Sequence, residues 1–240
     1  ILNLGLIKAV KELIESINQD ILILNEQLKD FIKKSDFNRF FQREINNKQR
    51  ELKLIEENLP DFDFKEEIEF YLGFRLNEIL HIYSLIKMGC QGFEIDTTHG
   101  RINVCLISNF SISYAIENDI LKKTISGILF HEYSHPVINP MIDSYVERGG
   151  ELGEKLDRLY CPFIESLIEA IVIHILITKI LITADMLESE LNRSKKNIAQ
   201  FVFEFYDLLK QYLNNRNQYK NIGDFLPELF ELFKNCHFAD

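Results

Sequence analysis

The chain has 240 residues, 46% of them hydrophobic and 27% charged, a balance that argues against wholesale disorder and against a membrane-embedded protein. Its formal net charge is -10, and phosphate binding needs a basic surface that 27 scattered Lys and Arg against 37 Asp and Glu do not supply, so no nucleic-acid partner is expected. Cys90, Cys105, Cys161 and Cys236 stand far apart with no C-x-x-C pair, which points to neither a disulfide framework nor a cysteine zinc site.

Ile1 to Glu12 lack the basic region, apolar core and small-residue cleavage site of a signal peptide. The chain opens on Ile rather than Met, so a soluble cytoplasmic protein and one secreted after removal of a leader both fit. From Leu4 to Ile32 apolar residues recur at helical spacing (Leu4, Ile7, Leu13, Ile17, Ile21, Leu24), predicting one long amphipathic helix. Arg39 to Leu59 reads as further helix stopped by Pro60, and Phe64 to Met88 as mostly helical with a break at Gly73. Residues 1–91 thus form an N-terminal helical region without recognisable chemistry.

Residues 92–240 read as a second region, although no linker divides the two and one continuous domain also fits. Phe93 to Thr97 and Arg101 to Tyr114 are rich in Ile, Val, Phe, Thr and Ser around the turn-like Thr98-His99-Gly100, which predicts a hairpin. Ile120, Leu121, Ile125, Ile128 and Leu129 stripe a helix from Asp119, capped by Asn118 or Asp119 and expected to end near His135 because Pro136 disfavours helical geometry before it. After a connection punctuated by Asn139-Pro140 and Arg148-Gly149-Gly150, a long apolar helix runs from Phe163 to Met186. Glu165, Glu169, His174 and Lys179 interrupt it, and ionisable groups are expensive in hydrocarbon, so it is read as buried rather than inserted in a membrane. Helices over about Ser194 to Asn214 and Asp224 to Asn235 close a mainly helical α+β chain with a small mixed sheet.

Chemistry is carried by His131-Glu132-Tyr133-Ser134-His135. Residues four apart on a helix share a face, so the two imidazoles can reach one zinc ion, and Glu132 is placed as general base. A catalytic zinc needs three protein ligands and an open position for water. Among the downstream carboxylates and His174, a ligand on the next long helix is favoured, which leaves Glu165, Glu169 or His174. Glu165 and Glu169 share a face, and an unpaired carboxylate on a buried helix would cost about 3–5 kcal/mol. Glu165 is therefore taken as the third ligand of one Zn2+, with Glu169 accepting the outer ring N–H of a ligand histidine. His174, about half a turn away from Glu165's face, is assigned to the core or to a second site.

This pattern resembles the gluzincin-type zinc metallopeptidases, in which H-E-x-x-H is followed by a glutamate ligand on a later helix, here within Glu165-Ser-Leu-Ile-Glu169-Ala170. The string His131 to Pro140 is also similar to a group of bacterial proteins with an H-E-F-S-H, then N-P, signature. The resemblance covers about Gly92 to Leu181 and implies a zincin-like core whose edge strand, within Arg101 to Ser113, binds an extended peptide beside the metal. Glu169 departs from the Asp or basic residue that related chains often carry there. The metzincin extension is absent, since Ile138 and Met141 stand where Gly and His are required. Cys90 could mimic the cysteine of peptide deformylases, but that family's glycine-rich and E-G-C-L segments are missing. The expected activity is hydrolysis of peptide or protein substrates, with Tyr160 named for the oxyanion ahead of Tyr145 and His174. The rival expectations are a non-proteolytic zinc-binding or regulatory protein and a purely structural helical protein.

Overall fold

A computed structural model describes residues 22–83, 90–98, 100–108, 114–116 and 120–235. The chain divides into two compact units, residues 1–57 and 58–240. In the first, residues 22–34 are helical, and α1 spans Phe37–Asn58, its last residue already counted with the second unit. Phe37 meets Phe31 edge-on and stacks on Phe41, both at 5.8 Å between ring centroids, across the Ser35-Asp36 bend. The portion of the long predicted helix before residue 22 lies outside the described residues.

The second unit begins with α2 (Phe64–Leu72), whose Asp63 carboxylate accepts from the backbone N–H groups of Lys65 and Glu66. It ends at Gly73 in the left-handed region, φ 73°, where a Cβ would fall 2.3 Å from the Lys220 carbonyl oxygen. Three strands follow: β1 (Glu78–Tyr83), β2 (Gln91–Thr97) and β3 (Gly100–Ile107), in the order β1-β3-β2. β3 pairs antiparallel with β2 from Gln91↔Leu106 to Thr97↔Gly100, and parallel with β1 from Glu78↔Ile102 to Tyr83↔Ile107.

Two expectations change here. The stretch read as helix to Met88 contains β1, because Glu-Ile-Leu-His-Ile-Tyr is too short for periodicity to separate strand from helix and pairing with β3 decides it. Residues 58–91 thereby fold with the site-bearing unit. The edge strand is also not β3, which is paired on both sides; among the described residues β2 pairs with β3 alone.

The helices are α3 (Leu121–Glu147), α4 (Gly150–Arg158), α5 (Tyr160–Thr178), α6 (Leu187–Asn197), α7 (Val202–Asn214) and α8 (Ile222–Asn235). α3 lies between the sheet and α5, packing on β2 and β3 with one side, and α5 packs in turn on α6 and α7. It does not stop at His135 but runs through Pro136 and Pro140. Each proline costs about 3 kcal/mol in a helix interior. Burial of Ile138 and Ile142, both 0% exposed, returns about 1.5–3 kcal/mol each and holds the rod together. The proposed caps Asn118 and Asp119 lie outside the described residues; α3 starts after Ile120 without a side-chain cap.

α5 is long and apolar enough to cross a membrane, yet most of it is buried inside the fold. It begins three residues earlier than expected and stops at Thr178, where Ile180 takes φ 57° and turns the chain. The single helix expected over residues 194–214 is two, α6 and α7, separated at Ile198–Phe201. Cys90, Cys105 and Cys161 form no disulfide.

Candidate metal centre

α3 presents His131 and His135 from consecutive turns, and α5 presents Glu165 toward them. One donor atom from each lies within 4.8 Å of the others. The two Nε2 atoms are 3.1 Å apart, His131 Nε2 is 3.2 Å from Glu165 Oε2, and His135 Nε2 is 3.8 Å from Glu165 Oε1. Four ligands at zinc bond lengths of about 2.0–2.1 Å sit about 3.3 Å apart at the corners of a tetrahedron, so the spacing of the two Nε2 atoms and of His131 Nε2 from Glu165 suits that ion, while His135 stands further from the carboxylate.

The other ring nitrogens explain why both Nε2 atoms face one point. His131 Nδ1 is 3.0 Å from Glu169 Oε1, and the other oxygen of Glu169 accepts the Ser194 hydroxyl at 2.7 Å. His135 Nδ1 is 3.1 Å from Asn139 Oδ1, one turn further along α3. Each outer nitrogen faces an oxygen to which it can donate, so that once the inner proton of His131 leaves, both inner lone pairs are aimed at one point.

Electrostatics follow the same arrangement. Burial disfavours charge on His131, but the hydrogen bonds that its ring N–H groups donate to Glu165 and Glu169 outweigh it and push the imidazole up to about 10. Such a concentration of negative charge suits a divalent cation. Burial and the positive His131 lower His135. Glu169 is held below the ordinary carboxylate range: burial would raise it, and the hydrogen bond with His131 prevails.

Glu132 is 7% exposed and stands outside the donor trio, on the wall of a cleft of about 390 Å³ shared with both histidines, Glu165 and Gly92. Burial raises its carboxyl, while His131 and the Gly92 backbone N–H favour its charged form. β2 approaches so closely that a Cβ on Gly92 would be 1.7 Å from the Glu132 carbonyl oxygen. In a regular helix that oxygen accepts from the residue four later, which here is Pro136 and has no N–H to give. Proline in the helix and glycine in the strand together let the two backbones meet.

Tyr160 is not brought to the cleft; its hydroxyl donates to Asp143 Oδ1 at 2.6 Å. His174 faces away into a polar contact with the Tyr71 hydroxyl, 2.8 Å from its Nδ1, and Tyr145 packs on Phe230. Cys90 does line the cleft, although the third donor of the trio is Glu165.

Gly92, Asn139 and Ser194 are site residues that sequence reasoning passed over. Asn139 had a signal, its i+4 relation to His135, masked by the expectation that Pro136 ends the helix. A glycine inside a strand signals close backbone approach, but not to what. Ser194 had none, since its contact spans packed helices.

A family described as a domain of unknown function, DUF4932, matches residues 8–232. The chain belongs to DUF4932. No curated protein and no solved structure matches it. The DUF4932 match takes in both compact units, including every residue of the metal centre.

Proposed function

We propose that the protein is a zinc metallopeptidase with a zincin-like core. The observation carrying this reading is the convergence of His131, His135 and the Glu165 carboxylate, one donor atom from each within 4.8 Å of the others, with Glu132 beside them and outside the trio. His131, His135 and Glu165 would hold the Zn2+, which would supply Lewis-acid polarisation of a scissile carbonyl and a more acidic water. Glu132, raised by burial, takes the proton from that water and passes it to the leaving amine. Glu169 and Asn139 keep both imidazoles aimed throughout.

β2 supplies the peptide platform. Its outer edge is unpaired among the described residues, Phe93 at its cleft end is 40% exposed, and an extended chain added there would run past Glu132. The substrate is a peptide or an unfolded protein segment. The experiment is Glu132→Gln in zinc-loaded protein against a broad peptide library: hydrolysis should be lost while one zinc per chain remains, and retained hydrolysis would refute the assignment of Glu132.

A further inference from the structure

Residues 22–34 form a helix that leaves apolar side chains on its surface: Leu24 is 55% exposed, Leu28 49% and Phe31 54%. A helix this short is marginal in water, and most helical stability in proteins comes from packing an apolar face. The three residues are spaced 4 and 3 apart, the recurrence that lines up side chains along a supercoiled helix. Carried back along the sequence, the same register fills four heptads. Position a is Ile7, Ile14, Ile21 and Leu28, and position d is Val10, Ile17, Leu24 and Phe31. Four consecutive heptads with every a and d apolar are the pattern of a coiled coil rather than of a helix lying on a globular core. Carried forward, the register fails at Ser35 and Asn38, and Ser35-Asp36 is where the helix bends before α1. Register and helix end together.

The flanking positions choose the occupant. Positions g and e, which face each other across a parallel pair, set Leu13 against Asn18, Asp20 against Asn25 and Gln27 against Ile32 of the other helix, with no like charges opposed. An antiparallel pair with the same core would set Asp20 against its own copy. The stripe therefore matches itself when the two helices run the same way. At about 60–120 Å² per fully buried apolar side chain, its eight positions cover about 500–1,000 Å² on each helix, which brackets the roughly 800 Å² per partner of a stable interface.

We propose that this stripe is an interface with a second copy of the chain, the two helices running parallel as a coiled coil. Leu22 and Ile23, 63% and 54% exposed, fall at positions b and c and stay outside it, so they serve as an internal control. The pairing requires nothing of the metal centre and stands or falls apart from the peptidase reading.

The experiment is sedimentation equilibrium of the 240-residue chain at micromolar concentration, for wild type, the double variant Leu24→Glu with Leu28→Glu, and the double variant Leu22→Glu with Ile23→Glu. Wild type should show twice the 28.3 kDa mass of one chain. The first double variant should raise the dissociation constant about 100-fold or more and sediment as monomer, and the second should stay dimeric. Leu28→Ala alone should raise the constant about tenfold and serves if the first double variant does not fold. All nine tyrosines lie in residues 58–240 and the chain has no tryptophan, so the tyrosine near-ultraviolet signal shows whether a variant keeps the fold of that unit. A monomeric wild type overturns the proposal. So does equal dissociation by both double variants, which would mark an apolar patch without register. A wild type that stays monomeric and co-sediments with phosphatidylcholine–phosphatidylglycerol vesicles would overturn it by assigning the face to a membrane surface.

Discussion

Replacing Gly92 by alanine tests the joint on which the site depends. The new Cβ would stand 1.7 Å from the Glu132 carbonyl oxygen, whereas an ordinary carbon–oxygen contact is about 3.3–3.6 Å, so β2 must retreat by about 1.5–2 Å. Overpacking of this kind costs about 1–3 kcal/mol. Retreat also breaks the hydrogen bond from the Gly92 N–H to the Glu132 carboxyl, and a bond to a charged group is worth about 1.5–3 kcal/mol. Together these give about 3–5 kcal/mol. In a unit of this size each kcal/mol moves the midpoint by about 2–4 °C, so thermal unfolding should come about 10 °C earlier. Since the lost donor favoured the charged carboxylate, Glu132 should titrate higher still, and the acid limb of any pH–rate profile should move to higher pH. A variant melting within about 1 °C of wild type, with its acid limb in place, would show that β2 does not lie against α3 as described.

Metal analysis separates ligand from support: Glu165→Ala should abolish stoichiometric zinc, whereas Glu169→Gln should keep it with affinity weakened about 10–100-fold in a chelator competition, and equal effects would contradict the division of roles. The pH dependence follows from His131. Its pKa in the metal-free fold is raised from 6.5 to about 10, so the stability its protonation contributes is fully present below pH 6.5 and lost as pH climbs through about 10. Zinc requires that proton to leave, so uptake near pH 8 should release about one proton from this residue and affinity should rise about tenfold per pH unit between about 7 and 9; calorimetry in buffers of different ionisation heat that finds no release would contradict it.

What could be read from the residues was whatever obeys a short period. His131 and His135, and likewise Glu165 and Glu169, are four apart on one helix each; that spacing nominated the histidines, while the glutamates also needed the apolar character of their helix and the cost of burying an unpaired carboxylate. The sheet was legible as a hairpin because its turn is local, but β1 was not, since its partner lies more than twenty residues away and pairing outweighed a weak helical pattern. Pro136 misled for a related reason: a local rule predicted a stop, and burial of Ile138 and Ile142 overrode it. The hydroxyl of Ser194 and the missing Cβ of Gly92 act across packed elements, where spacing along the chain carries no information.

The continuation of α3 beyond His135 divides the centre into halves of different origin. His135 and its Asn139 partner belong to one rod, so that imidazole is oriented wherever the helix exists. His131 depends on Glu169, and the trio on Glu165, both borrowed from α5 across more than thirty residues of chain. A cation seated there would act as a rivet between two helices, and chelation should loosen that seam while leaving the lower imidazole aimed as before.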